Sequence, residues 1–121
     1  MEEILIECSP GVSGDMLLGA FYDLGVPQSV IETPLIKLGL EKLYCLKFRE
    51  SSSCSIRGIN VEVLRNDPTT KRNWRSIKKL IAKSNLGNKL QNKIFEVFEL
   101  LAIAEGKVHG ISPEEVHFHE I

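Results

Sequence analysis

The stretch that decides the fold of this chain reads Cys8-Ser9-Pro10-Gly11-Val12-Ser13-Gly14-Asp15-Met16. The apolar run Ile4-Leu5-Ile6 precedes it and predicts a first strand over residues 3–8, and the helical spacing of the residues from Met16 onward predicts a helix over 13–24. Pro10 fixes its own φ, while Gly11 and Gly14 tolerate positive φ and let another group approach the backbone. The stretch therefore predicts a tight connection from a strand to a helix.

Two interpretations of this loop stay open. Bare N–H groups at a helix start favour an anion, so Gly11 and Gly14 make a candidate phosphate cradle. The Gly-x-x-Gly spacing matches neither the dinucleotide fingerprint nor a P-loop, and no Lys follows it. Asp15 would also repel a phosphate unless a cation lay between them. The alternative is a tight turn in which Ser13 caps the helix and Asp15 stabilises its dipole.

The rest of the chain alternates further helices with short strands. We expect a helix over 27–38, kinked or shortened by Pro34, because Pro removes a helical hydrogen bond. Residues 43–49 and 56–64 alternate as strands and predict an antiparallel hairpin with a longish turn and a bulge at Gly58. On the second strand Ile59, Val61 and Val63 share one face, and the polar Asn60 and Glu62 share the other.

Two helices and a terminal strand complete the pattern. A basic helix runs from Trp74 to Ser84, and a longer helix ends at His109-Gly110. The longer helix has a regular stripe of apolar residues that predicts burial, in the core rather than against another protomer. The stripe consists of Leu90, Ile94, Val97, Leu101, Ala104 and Val108. Residues 116–121 alternate strictly and predict a final strand, whose open edge favours self-association into a homo-oligomer.

These elements predict one domain over residues 1–121, of mixed α/β class. We expect a small sheet of three or four strands, covered by about four helices, with the strand ending at Cys8 in its centre. A chain of 121 residues is long enough to bury a sizeable core. Its 43% hydrophobic and 26% charged residues are ordinary for a soluble globular protein.

The charge of the chain is small overall but unevenly placed. The net charge of −1 implies no bulk attraction to nucleic acid or to a membrane. Residues 65–94 nevertheless hold nine Lys or Arg against Asp67 alone, a net of +8. We interpret this patch as the solvated face of two helices, and binding of a polyanion is the weaker alternative.

The cysteines and the chain start indicate the compartment. The chain has an odd number of cysteines without CxxC spacing, namely Cys8, Cys45 and Cys54. It opens Met-Glu-Glu, which is not typical of a signal peptide. We therefore expect reduced thiols and a cytoplasmic protein. No apolar run approaches the length that spans a membrane.

The last residues carry a candidate metal site. On a strand, His117 and His119 project from the same face, about 6–7 Å apart at Cα, so both can reach one ion. Glu120 faces the other way unless the strand has ended, and His109 is a candidate third ligand. Such ligands suit Zn, Ni, Co or Fe rather than Ca or Mg. The alternative is a pair of surface or interface histidines.

These motifs together resemble the N-terminal part of the nickel-insertion protein family, which serves the nickel-pincer cofactor of lactate racemase. The resemblance covers essentially the whole chain in one register. It is carried by Cys8 to Ala20, by Leu24-Gly25-Val26-Pro27 and Lys37-Leu38-Gly39-Leu40, by Lys107-Val108-His109-Gly110, and by Glu114-Glu115-Val116-His117-Phe118-His119-Glu120. The Cys8 loop and the terminal histidine motif, found together, are specific for this family.

The resemblance implies a lyase-class nickel chelatase. Family members insert nickel into a pyridinium bis-thiocarboxylate mononucleotide and use CTP, with a divalent cation expected for the full-length protein. It implies catalytic roles for Cys8 and Asp15, near the imidazoles of His117 and His119. It also implies that Gly11, Ser13 and Gly14 hold the mononucleotide phosphate, and that His109 and Glu120 are further metal ligands.

This chain departs from the family pattern in three ways. The family's C-terminal nucleotide-hydrolysing region is missing, so activity is expected to need a missing half or a separate subunit. The His-rich insert of many members is absent, since residues 66–73 contain no His. Ser9-Pro10 replaces the more usual aromatic-Ser pair. The alternative function is a non-catalytic metal- or nucleotide-binding module that acts with a separate C-terminal partner.

Overall fold

The computed structural model describes residues 3–66 and 71–118 of the chain. In order, it contains α1 (Gly14–Asp23), α2 (Gln28–Lys37), β1 (Tyr44–Ser53), β2 (Ile56–Arg65), α3 (Trp74–Lys83), α4 (Asn88–His109) and a short 3₁₀ helix (Pro113–Glu115). The mixed α/β class and the four helices agree with the sequence-based prediction. None of the described helices is long and apolar enough to cross a membrane.

The described sheet has two strands, and the predicted three or four strands are therefore wrong in number. β1 and β2 pair antiparallel without interruption from Tyr44↔Arg65 to Ser53↔Ile56. The turn is only two residues long, because Cys54 and Ser55 both adopt positive φ (49° and 64°), which matches the twist of a tight hairpin. Gly58 lies opposite Ser51 in register, so the expected bulge and the expected longish turn are absent from this hairpin.

The predicted first strand is also wrong. Residues 3–8 form no strand, since a strand needs a hydrogen-bonded neighbour and neither β1 nor β2 pairs with this segment. The side chains of Ile4, Leu5 and Ile6 are exposed. This segment lies beside α1, where its apolar side chains line a groove with Met16, Leu17, Ala20, Phe21 and Leu24.

α1 packs closely on the hairpin. Gly19 is the buried residue of α1, and a Cβ atom at this position would lie 2.6 Å from the carbonyl oxygen of Ile59. Leu46 and Val61 are buried in the same layer. Tyr22 stacks on Phe48 with ring centroids 4.3 Å apart. The absence of a side chain at Gly19 is therefore what lets the helix approach the strand.

A second core forms around Trp74, the first residue of α3. Trp74, Ile77, Ile81 and Ala102 are buried together. Phe98 of α4 stacks on the indole at 5.6 Å between ring centroids. Leu38, which follows α2, also packs against this cluster. α2 keeps ten residues with Pro34 inside it, so of the two expected effects of this proline, a kink or a reduction to two turns, the reduction does not occur.

The apolar face of α4 that meets the core differs from the predicted one. The buried or half-buried positions are Gln91, Ile94, Phe95, Phe98, Ala102, Glu105 and Gly106. Of the predicted stripe, called here the α4 stripe (Leu90, Ile94, Val97, Leu101, Ala104 and Val108), only Ile94 is half-buried and the others are exposed. The prediction failed because α4 has two adjoining apolar faces, and the face with small Ala102 and Gly106 allows closer packing.

Candidate functional site

The Cys8 loop forms a tight exposed turn. The N–H of Gly11 donates to the carbonyl oxygen of Cys8 at 2.8 Å, and Gly11 adopts a φ of +90°, which requires glycine. The Cys8 thiol is free and exposed, with its sulfur 3.9 Å from the carbonyl oxygen of Ile6. The turn therefore presents a thiol to solvent ahead of the start of α1.

The start of α1 presents a carboxylate. Ser13 occupies the N-cap position, as predicted, but its side chain makes no cap hydrogen bond. Its Oγ instead donates to Oδ1 of Asp15. This hydrogen bond, together with one from the N–H of Met16, holds the pKa of Asp15 below its usual value. The loop therefore carries a stabilised negative charge at the point where a phosphate would meet the helix, and this arrangement favours a cation there.

A groove separates this loop from the tip of the hairpin. Pro10, Asp15 and Met16 line one side of it, and Arg57 and Asn60 line the other. Arg57 is held by Asp23 at 2.8 Å and by Glu50 at 3.2 Å, and these carboxylates raise the pKa of its guanidinium. Because two carboxylates already neutralise Arg57, the free charge in this groove is the carboxylate of Asp15.

The terminal motif is anchored to α3 by its backbone. The N–H of Trp74 donates to the carbonyl oxygen of Val116 at 2.9 Å, and Asn73 and His117 form an isolated β-bridge. Val116 is buried, and the ring of Phe118 lies 6.4 Å from that of Trp74. His117 is exposed between them. The predicted alternation therefore holds at 116–118, and over these three residues the predicted strand is represented by a single bridge, while its remaining residues 119–121 lie outside the described part of the chain.

Two ion pairs flank this anchor. Glu114 pairs with Lys78, and Glu115 pairs with Arg75 at 2.6 Å, so the first two acids of the motif meet the basic face of α3. Lys78 also lies 5.2 Å from the centre of the Trp74 ring. The sequence predicts a solvated face for these basic residues and does not reveal their ion pairs. The available signal was the spacing of Arg75 and Lys78, which share one helix face opposite the consecutive acids.

The structure separates His109 from His117. Residues 110–118 run back along α4, because Pro113 packs against Gly106 and the ring of Phe118 lies 5.5 Å from that of Phe98. His109 is eleven residues beyond Phe98, about 16 Å along the helix axis. Its Nε2 lies 3.2 Å from Oε2 of Glu105. His117 therefore lies near one end of the returning segment and His109 near the other.

The predicted site residues are thus only partly brought together. Ser13 and Asp15 are in contact, and Cys8 and Gly11 belong to one turn. Within residues 3–66 and 71–118, no three His, Cys, Asp or Glu side chains cluster to hold a metal ion. The main packing partner of α1 is β2, whereas the terminal segment packs on α3 and α4. His119 and Glu120 lie outside the described residues.

The structure therefore defines a small mixed α/β protein with an exposed thiol and carboxylate in one loop and an exposed imidazole in a terminal segment. Comparison with known sequences gives its family. Residues 4–121 match the profile of the family described as nickel insertion protein, and the chain belongs to that family.

Relatives match the whole chain. A protein of Synechococcus sp. (strain JA-3-3Ab) is 41% identical over 123 residues, which cover all of this chain and 31% of that relative. The pyridinium-3,5-bisthiocarboxylic acid mononucleotide nickel insertion protein of Akkermansia muciniphila is 37% identical, over all of this chain and 32% of its own length. This chain thus spans about a third of these relatives. No solved structure matches it.

Proposed function

We propose that this chain takes part in inserting nickel into a pyridinium bis-thiocarboxylate mononucleotide. The observation that carries the proposal is the family match over residues 4–121, which includes both the Cys8 loop and the terminal histidine motif. The name of the Akkermansia relative describes the same reaction for that protein. We place the reaction in the cytoplasm, since three free and exposed thiols suit a reducing compartment.

Nickel is the substrate metal in this proposal. We propose that His117, His119 and Glu120 receive the ion, because imidazole nitrogen suits nickel and His117 is already exposed. Val116 and Phe118 anchor the backbone on both sides of His117, which reduces the entropy lost when the ion is bound. We leave His109 outside this set, since it lies about 16 Å along α4 from Phe98.

The Cys8 loop is proposed to meet the mononucleotide. Cys8 and Asp15 act on the metal or on a proton of the substrate, supported by the lowered pKa of Asp15, which keeps this carboxylate charged. The backbone at Gly11, Ser13 and Gly14 is proposed to hold the phosphate. A cation carried by the substrate would offset the repulsion between that phosphate and Asp15. CTP, with a divalent cation, is proposed as a co-substrate of the longer protein.

Calorimetric titration with Ni²⁺ tests the histidine site. We expect the wild-type chain to bind the ion and the double variant His117→Ala/His119→Ala to lose at least tenfold in affinity. His109→Ala is the matched control, because it also removes an exposed imidazole, and it should bind as the wild type does. Equal affinity of the wild type and the double variant would contradict the assigned ligands.

The second candidate is a non-catalytic metal- or nucleotide-binding module that acts with a separate C-terminal partner. The observation that favours it is the coverage of the relatives, of which this chain spans only about a third. A nickel-transfer assay on the mononucleotide separates the two candidates. We expect activity only after addition of the unmatched part of the Akkermansia relative. Loss of that reconstituted activity in Cys8→Ser or Asp15→Asn supports the first candidate, whereas unchanged activity in both variants supports the second.

A further inference from the structure

The α4 stripe leaves a line of apolar side chains uncovered along one helix. Val97 is 57% exposed, Val108 is 79% exposed, and Leu90 and Leu101 are each 43% exposed. Neighbouring Leu100 adds a further side chain at 70% exposure. From Leu90 to Val108 the stripe extends about 27 Å along the helix. Continuous apolar surface of this kind marks an interaction site in soluble proteins.

The spacing along the stripe identifies the shape of its partner. Its members alternate steps of four and three residues, the 3.5-residue period with which one helix packs lengthwise on another. The stripe continues into a cavity of about 330 Å³ between α2, α3 and α4, because Ile94 lines that cavity as well.

The margins of the stripe disfavour a second copy of α4 as that partner. One margin carries Lys93, Leu100 and Lys107, and the other carries Gln91, Phe98 and Glu105. An antiparallel copy would place Lys93 against the partner's Lys107, which are like charges. A parallel copy would need the margin of Phe98, which is already packed on Trp74. The basic margin favours a partner helix with acidic residues along its edge.

We propose that the α4 stripe docks an amphipathic helix with an acidic margin, from the part of the longer family protein that this chain does not match. The relatives supply such polypeptide, since the whole of this chain covers only 31% of the Synechococcus relative. The inference rests on family membership and on the exposed stripe, and it does not depend on nickel chemistry.

The test is a binding titration in the absence of nickel. The probe is the part of the Synechococcus relative that this chain does not match, produced as a separate polypeptide. We expect a 1:1 complex with the wild-type chain, weakened at least tenfold by Val97→Glu. The matched control is Ile56→Glu, at the tip of the hairpin, where the side chain is also exposed (74%). Circular dichroism melts establish that both variants remain folded.

Each other outcome overturns the proposal. Equal binding by Val97→Glu and the wild type places the contact elsewhere. Dimers of the wild type that Val97→Glu disrupts show that a second copy covers the stripe. The proposal is also overturned if this chain does not bind the probe. This holds even if the matched third of the Synechococcus relative does bind that probe. The double variant Lys93→Glu/Lys107→Glu should weaken binding more at low salt than at high salt. The new glutamates would repel the acidic margin of the partner, and salt screens this repulsion.

Discussion

The backbone N–H of Trp74 donates to the carbonyl oxygen of Val116 at 2.9 Å, which joins the first residue of α3 to the motif that carries the histidines. Both side chains are almost fully buried. The hydrogen bond and the two side chains together hold the exposed His117 at a fixed place on the surface. The order of the proposed nickel site therefore depends on residues that cannot bind nickel themselves.

Truncation of Val116 should show that the terminal motif is part of the core. We expect Val116→Ala to lower the free energy of unfolding by about 2 kcal/mol, because it removes two buried methyl groups and leaves a cavity. Val97→Ala is the matched control, since Val97 is 57% exposed, and its effect should stay within about 0.5 kcal/mol. Urea denaturation measures both. Equal losses would mean that the motif does not pack as described.

Gly19 should be the least replaceable glycine of α1. In Gly19→Ala the new Cβ would lie 2.6 Å from the carbonyl oxygen of Ile59, a backbone atom that cannot move alone. We expect a loss of roughly 1–3 kcal/mol in the free energy of unfolding, because the helix must shift away from β2. Gly14→Ala is the control, since nothing lies within 4 Å of the added atom. Thermal melts that rank the two variants in the opposite order would contradict this packing.

The pKa of Asp15 should depend on the hydroxyl of Ser13. We expect Ser13→Ala to raise the pKa of Asp15, because the hydroxyl donates to the charged carboxylate. A lowered folded-state pKa stabilises the protein above the unfolded pKa, and this contribution disappears as pH falls through the folded value. In Ser13→Ala, the free energy of unfolding should therefore fall less than in the wild type as the pH is lowered. NMR titration of the Asp15 carboxyl carbon measures the shift, and Ser9→Ala in the same loop should leave it unchanged.

Reaction of the cysteines with a thiol reagent tests the proposed role of Cys8. All three thiols are exposed and free, so each should react without denaturant. If Cys8 meets the metal, nickel should protect one thiol, because a coordinated sulfur is a poor nucleophile. Protection should vanish in Cys8→Ser and persist in Cys54→Ser. Reaction rates that are the same with and without nickel would remove Cys8 from the site.

The sequence alone predicted the local elements well where the signal was local. The helical spacing of apolar residues predicted four helices close to their observed bounds. The alternation of residues along the hairpin predicted one pair of strands, also close to its observed bounds. α4 ends at Gly110 as predicted, and this glycine adopts a left-handed conformation. The matched motifs also gave the family, which the comparison confirmed over residues 4–121.

Long-range pairing could not be predicted from local patterns. The apolar run at 3–8 has strand-like composition, but a strand exists only where a neighbour offers hydrogen bonds, and no described strand does so here. Likewise, the regularity of the α4 stripe does not say which of two apolar faces is covered. That choice depended on the close approach that Gly106 and Ala102 permit.

By itself, the sequence determined the chemical groups: the thiol and carboxylate around the Cys8 loop, the imidazoles of the terminal motif, and the family that combines them. Only the tertiary structure decided their arrangement. It turned Ser13 towards Asp15, anchored His117 through Trp74 and Val116, and placed His109 three helical turns away from Phe98. The physical reason is that residue types follow from the chain locally, whereas distances between them follow from which apolar faces pack together.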